Sequence, residues 1–472
     1  MPLNLKTPGV YIQEITTLPA SVAQVETAIP AFIGYTTKTG APTDPVRISS
    51  LVEYEEKFGG PYKSVKINIS GTGAGASITS VEVDHVFYLY EAMQLYFANG
   101  GGPCYVISAG NATGAVASTA FYNTGAVTEP LTKLAKEDEP TIIVMPELMS
   151  ATNTGATNTG SYYSVIQQAL AQCNLLKDRF TIIDTYQGFS TALTDPVGKL
   201  RDDIGTQYLK YGAAYYPQLK TSLTFRNDAI YFNGGGAGIT TETLAKVIAD
   251  SEVEGAGGLA AGTFLTTIQL ALTEELNKLQ ITLPASPAVA GVYASVDRDR
   301  GVWKAPANVS VSSVTEPSVK ITNGTQDGMN VDSTGKSINA IRTFRGKGTL
   351  VWGARTLAGN DNEWKYIPVR RLFITMEESI KKATEFVVFE PNDKNTWVRT
   401  KAMIENYLTG LWRQGALAGA KPEDAFFVNV GLGETMTAQN ILDGELIIEI
   451  GVAAVRPAEF IILNFSHKLQ ES

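Results

Sequence analysis

Cysteine and histidine are almost missing from this chain, with two of each in 472 residues. Cys104 and Cys173 stand in apolar surroundings, "GGPCYVISA" and "ALAQCNLL". Two cysteines cannot make a framework of bridges, so both read as small buried hydrophobes. His85 and His467 lie far apart, and neither has a cysteine, a second histidine or a nucleophile pattern beside it. His85 is expected to open a helix and His467 to belong to the C-terminal tail. A zinc site or a Ser/His/Asp triad has too little to be built from. No catalytic, cofactor-binding or metal-ligating residue is therefore assigned, and the chain is not expected to be an enzyme.

Long apolar runs and a basic excess are lacking too. No stretch approaches the ~20 apolar residues of a membrane span, so membrane insertion is not expected. The net charge of −9 and pI near 5.1 argue against a nucleic-acid partner, because phosphate affinity needs clustered Lys and Arg. "MPLNLKTPGVYIQEI" has neither the basic start nor the apolar stretch of a secretory signal, so synthesis in the cytoplasm is the expectation. What is present is ordinary globular composition, 44% hydrophobic and 18% charged, with length for about two to four domains.

One stretch, "DSTGKSINAIRTF" (Asp332 to Phe344), carries the end of a phosphate-loop signature in Gly335-Lys336-Ser337. That loop needs a second glycine five residues earlier, so that backbone N–H groups can wrap a phosphate. The position is Asn330, and the preceding "NGTQDGMNVD" is polar and turn-like rather than an apolar strand. A nucleotide site is not expected, and Lys336 reads as a solvated loop lysine. The Gly-rich stretches "SGTGAGASITS", "SATNTGATNTGS" and "NGGGAGITT" read as surface loops.

The body alternates strand and helix signals. "AFIGYT", "CYVISA", "TIIVMPE", "FTIIDTY" and "GAAYYP" read as strands. Helices are expected over Leu51–Phe58 with Ser50 as N-cap and Gly59 as stop, from Asp84 as cap to Asn99, over Tyr163–Leu176 and over Gly198–Tyr208. That order predicts an α/β fold with a parallel sheet and covering helices. Further on, Val369, Leu372, Phe373, Met376, Ile380, Ala383 and Val387 mark one face of a helix, with Glu377–Lys381 and Glu378–Lys382 on its solvated side. A second helix begins near Asn395 and buries Met403, Ile404, Tyr407, Leu408, Leu411 and Trp412.

Both ends of the chain are unlike domain ends. Val10 to Ile15 alternates apolar and polar between prolines, and "EFIILNFSH" (Glu459 to His467) comes after a strand pattern over Gly444–Val455 and the break Arg456-Pro457. A short isolated strand is unstable alone, and an apolar edge needs a cover. Two solutions are open on pattern alone: the ends fold back onto their own sheet, or they add strands to neighbouring subunits.

The most specific stretch is "GVYASVDRDRGVWKAPAN" (Gly291 to Asn308), where Asp297, Arg298, Asp299 and Arg300 alternate in sign. No apolar pocket or metal spacing accompanies them, so pairing internally or across a subunit interface is expected. Here the chain resembles the contractile tail sheath family of bacteriophages, R-type bacteriocins and extracellular contractile injection systems. "TPGVYIQE", "FIGYT", "EKFGG", "YFANGGGPCYVI", "AGVYASVDRDRGVWKAPAN", "INAIRTFRGKGTLVWGARTL", "YIPVRRLFITMEESIKKATEFVVFEPND", "LWRQGALAGAKPEDAFFV" and "VRPAEFIILNF" carry the resemblance in the family's order, almost end to end.

The resemblance implies a structural subunit that polymerises around an inner tube. Contraction then drives the tube through a target cell envelope, with energy stored in a metastable assembly rather than in nucleotide. It implies a mixed α+β fold: an N-terminal linking arm at 1–24, an outer α/β domain at 25–339, an inner C-terminal domain at 340–456 and a C-terminal linking arm at 457–472. The inner domain's sheet would be completed by neighbours' arm strands. The arm contacts are assigned to Val10, Tyr11, Ile12 and Ile15, and to Phe460, Ile461, Ile462, Leu463 and Phe465. A tube-facing role is open to Arg370, Arg371, Lys381, Lys382, Arg399, Lys401 and Arg413. Implied partners are further copies of the chain, an inner tube protein, baseplate and tail terminator proteins, and a second sheath paralogue as a further candidate. The setting would be the bacterial cytoplasm, then a phage tail or released contractile particle. The alternative is a non-contractile oligomeric surface or binding protein, which would give closed particles of fixed mass.

Overall fold

The strand Pro30–Thr36 (β1) buries all seven of its residues, a continuous apolar run that only the middle of a two-sided sheet can accommodate. In the computed structural model, which describes residues 22–70, 77–84, 86–122, 125–151, 159–186, 194–234, 240–244 and 261–462, this strand sits inside a nine-stranded sheet. The other strands are Val46–Ile48 (β2), Cys104–Asn111 (β3), Ile142–Val144 (β4), Phe180–Asp184 (β5), Gly212–Tyr216 (β6), Val309–Ser310 (β7), Ile338–Phe344 (β8) and Gly348–Val351 (β9). Their order is β7-β9-β8-β6-β5-β4-β1-β3-β2. The run from β8 to β3 is parallel throughout, and antiparallel β2 and the β7–β9 pair close the two sides. The α/β reading with a parallel sheet therefore holds.

The chain divides into two compact units. The larger comprises 25–377 with 456–472, and the smaller comprises 1–24 with 378–455. The expected boundary at residue 340 falls inside β8, which pairs in parallel with β6 through Ile338–Ala214 and Ala340–Tyr216.

In the larger unit, Leu51–Phe58 (α1) starts on Ser50, whose side chain accepts from the Glu53 N–H, and stops at Gly59, as expected. The helix expected from Asp84 begins only at Leu89 and runs to Ala98 (α2). Its cap comes from far away: Glu147 Oε1 accepts from the N–H groups of Tyr88 and Leu89, each at 2.7 Å, and Oε2 accepts from Tyr35 N–H. Burial pushes the Glu147 carboxyl up to about 8 against the pull of these donors. Thr159–Leu176 (α3) ends where expected but starts before Tyr163, whereas Pro196–Asp203 (α4) ends earlier than expected.

Ser286–Arg300 (α5) is anchored in the same way as α2. Its Ser286 N–H donates to Asp184 Oδ1 at 2.8 Å, and burial raises the Asp184 carboxyl to about 6. Helix α5 crosses α2 at Gly291, where a Cβ would meet the Tyr96 carbonyl oxygen at 2.6 Å, so the approach requires glycine. The polar stretch read as a turn is a helix, Asn323–Asn330 (α6), capped by the Thr322 side chain accepting from Thr325 N–H.

A second core sits apart from the main one. Val65–Ser70 pairs in parallel with Ile230–Gly234 and antiparallel with Ser77–Val83. Val65, Ile67, Ile230 and Phe232 pack there with Ile268 and Leu272 of the helix Ala261–Lys278. The Gly-rich stretches at 71–76 and 235–239 lie outside the described residues.

The helix Ile367–Thr384 (α7) contains the division between units, at Glu377/Glu378. Within the smaller unit, Lys394–Arg413 (α8) begins on Asp393, whose carboxylate accepts from Thr396 N–H at 3.0 Å. It buries Met403, Ile404, Leu408 and Leu411. Tyr407 and Trp412 are half-buried. Phe426–Asn429 (β10) and Glu449–Val452 (β11) form a separate two-stranded antiparallel sheet, extended by a bridge between Leu417 and Ala454. The strand expected over Gly444–Val455 is thus confined to β11.

Candidate assembly surfaces

Isolated pairs of strands are marginal in water. Sheet β10–β11 has only these two strands, so among the described residues both of its outer edges are unpaired apart from the Leu417–Ala454 bridge. Phe427 is half-exposed on it, and Leu432, Ile447 and Leu442 are exposed in the connection between β10 and β11. Phe427 lies over Gly451, its directly opposite partner, so a Cβ there would collide with the ring.

The C-terminal segment presents the complementary feature. Phe460, Ile461 and Ile462 are 71%, 79% and 82% exposed and belong to no sheet. Three consecutive large apolar side chains in water make an exposed patch of the kind found at interaction surfaces. Of the other arm contacts assigned from sequence, Val10, Tyr11, Ile12, Ile15, Leu463 and Phe465 lie outside the described residues, as do both histidines.

The candidate tube-facing cations separate into two groups. Arg370 and Arg371 are 2% and 3% exposed, which corrects the expectation that they face outward. Arg371 donates to both oxygens of Asp297 and lies 4.5 Å from the Tyr293 ring centroid. Arg370 pairs with Glu377 at 2.7 Å and stacks over Trp364 and Tyr211. Each thus has a carboxylate and an aromatic environment that no local periodicity announces. Glu377 is therefore engaged with Arg370 rather than Lys381, and Glu378, expected on the solvated side, is buried and meets both Lys381 at 3.1 Å and Lys382 at 3.4 Å. Lys381, Arg399 and Arg413 are exposed, and Lys382 and Lys401 are partly so. Arg399 lies over the Phe386 ring, 4.5 Å from its centroid.

The central charge run pairs internally, through Asp297 to Arg371, as one of its two readings expected. Lys336 is not solvated: it is 6% exposed, and its Nζ donates to the Arg201 carbonyl. Arg201 in turn braces the same stretch, pairing with Asp332 and donating to the Lys336 carbonyl at 3.2 Å. Cys104 and Cys173 are both buried and free, and burial raises both thiols, Cys173 to about 12. Among the described residues, no group of three or more His, Cys, Asp or Glu is placed to hold a metal ion, and no helix is long and apolar enough to cross a membrane.

Comparison with known proteins gives one consistent answer. The family of the phage tail sheath C-terminal domain matches residues 359–468. The tail sheath protein of Vibrio phage KVP40 is 26% identical over 187 residues, and that of Enterobacteria phage T4 is 22% identical over 193. These stretches cover 39% and 41% of this chain but only 26% and 28% of the phage proteins. Solved structures match over almost the full length. The helical sheath of the anti-feeding prophage in its contracted state is 32% identical, covering 98% of this chain and 100% of that one, with a TM-score of 0.63. The contracted sheath complex of the extracellular contractile injection system PVC is 30% identical, covering 98% of each chain, also with a TM-score of 0.63. By this end-to-end likeness the chain belongs to the contractile sheath protein family, whose members are structural components of phage tails and contractile particles.

Proposed function

We propose that this chain polymerises as a sheath around an inner tube and that contraction of the polymer drives the tube through a target cell envelope. The observation that carries this is the coexistence, in one chain, of the exposed segment Phe460–Ile462 and the two-stranded sheet β10–β11 with its open edges. Each satisfies what the other lacks, and because donor and acceptor are different surfaces, the contact propagates into an open helix. A net backbone hydrogen bond contributes only about 0.5–1.5 kcal/mol, but an added strand makes several and every subunit repeats them. The lattice then stays linked while subunits rotate, and the work of contraction comes from tighter packing.

In this assembly the N-terminal arm at 1–24, through Val10, Tyr11, Ile12 and Ile15, and the C-terminal arm at 457–472 are the linking strands. The outer α/β domain, within the larger unit 25–377, faces away from the tube, and the inner domain, built on the compact unit 378–455, holds the lattice and meets the tube. Lys381, Lys382, Arg399, Lys401 and Arg413 are the cations available for that contact. Further partners are a baseplate, a tail terminator and a second sheath paralogue, in a particle assembled in the bacterial cytoplasm. Negative-stain electron microscopy of the chain, alone and co-expressed with its cognate tube protein, tests this. Wide hollow cylinders alone and narrower tube-filled ones on co-expression are expected. Compact particles of fixed mass under both conditions would return the chain to the class of closed oligomers.

A further inference from the structure

The C-terminal segment is held by one carboxylate just before it becomes exposed. Glu459 Oε1 accepts from Arg355 Nε at 2.9 Å, and Oε2 accepts from Arg355 Nη2 at 2.7 Å. Asn330 Nδ2 donates to Oε1 at 2.7 Å and the Tyr366 hydroxyl to Oε2 at 3.2 Å. The Arg355 side chain is 7% exposed and that of Glu459 22%. Burial alone would raise the Glu459 carboxyl, but the Arg355 and Asn330 donors outweigh it and hold it below its ordinary range.

Arg355 is itself fixed by its surroundings. Its N–H donates to Asn339 Oδ1 at 2.8 Å, and its carbonyl accepts from Asn339 Nδ2 at 2.7 Å. Its Nη1 donates to the Asn330 carbonyl at 3.0 Å, which Ser337 Oγ also engages at 2.7 Å. The stretch that imitates a phosphate loop is therefore the platform of this clamp, and Asn330, standing where the loop's glycine would be, is one of its jaws. An exposed ion pair contributes little, whereas a two-pronged, largely buried one with two further donors fixes geometry. Among the described residues, only the exposed run Phe460–Ile462 lies beyond Glu459, so the clamp holds the segment and no core. The other end is rooted in the same way: Arg371 Nη2 donates to the Thr27 carbonyl at 2.9 Å, where Thr141 Oγ1 also donates at 3.0 Å.

We propose that Arg355 is a positioning residue for assembly, fixing through Glu459 the point and direction from which the C-terminal segment is presented to a neighbouring subunit; this rests on the linking role proposed above. With the clamp open, the segment would be tethered only from Val455, whose N–H donates to the Ala416 carbonyl at 3.3 Å. That frees about four more residues, ~13 Å of extended chain, and presentation becomes a search rather than a fixed placement.

The test uses the full chain with a nitroxide on Ile462→Cys, which labels selectively because Cys104 and Cys173 are buried. Glu459→Gln and Arg355→Met are expected to raise nitroxide mobility by about threefold or more, with the melting temperature within about 3 °C of the parent. In the unlabelled chain, the same substitutions are expected to cut the yield of ordered polymer about tenfold through lost preorganisation. Glu459→Gln carries the test if Arg355→Met does not fold. Unchanged mobility, or undiminished polymer, overturns the proposal. A chain lacking residues 460–472 separates the two claims. If it polymerises normally, the linking role itself fails; if it cannot polymerise while the clamp variants do, only the clamp role fails.

Discussion

Arg371 and Asp297 meet in a two-pronged ion pair with both side chains 3% exposed, joining α7 to the C-terminal turn of α5 across 74 residues of sequence. Neither charge has water to fall back on. Asp297→Ala would leave a buried guanidinium uncompensated and should cost about 3–5 kcal/mol, read as a lowered denaturant midpoint. The double substitution Asp297→Leu with Arg371→Met should cost clearly less than the sum of the singles. Additive costs would mean that the pair is not coupled.

Under the proposed linking role, removing residues 1–20 should leave a folded chain that no longer polymerises, because the nine-stranded sheet draws its first strand only from Pro30 onward. Circular dichroism reports the first and sedimentation the second. Long cylinders from the truncated chain would refute a linking role for that end.

Gly451 admits the Phe427 ring on the directly opposite strand. Gly451→Val should displace it at a cost of about 1–3 kcal/mol confined to the smaller unit. Faster proteolysis within 378–455 and loss of polymer are expected, with protection of the larger unit unchanged. Uniform destabilisation of both units would contradict this.

Two buried carboxyls set a pH dependence. Glu147 moves from an ordinary 4.5 to about 8 and Asp184 from 3.8 to about 6, so the folded chain keeps protons that the unfolded chain gives up. The stability they contribute is complete below about pH 4 and is lost as pH rises through about 6 and then about 8, at up to ~1.4 kcal/mol per unit for each group. Urea midpoints should therefore fall between about pH 5 and pH 8.5, and Glu147→Gln should flatten the upper part of the profile. A midpoint that rises over that range would show that the three N–H donors to Glu147 prevail.

The legible parts of the sequence are those whose physics is local. The cap Ser50, the stop Gly59 and the apolar runs of β1, β4, β5 and β6 carry their reasons within a few residues. The start of α2 did not, because its cap is Glu147, 58 residues from Leu89. Helix α6 escaped because only Met329 is buried, which leaves no periodicity to detect. Arg370 and Arg371 read as open to a tube because the rings and the Asp297 carboxylate that receive them lie outside α7. The exposed Phe460–Ile462 was legible, since an apolar run after a proline is anomalous wherever it points.

The two open edges of β10–β11 also set a valence. In a polymer joined by strand exchange, every strand received by one copy is given by another, so gifts and vacancies cancel throughout the interior. They cannot cancel at the two extremities. In such a polymer one extremity would show empty edges and the other unplaced strands, so the filament would be polar before any other protein touched it. A cap for one extremity would have to imitate a strand, and a cap for the other an edge. The same cap could not serve both.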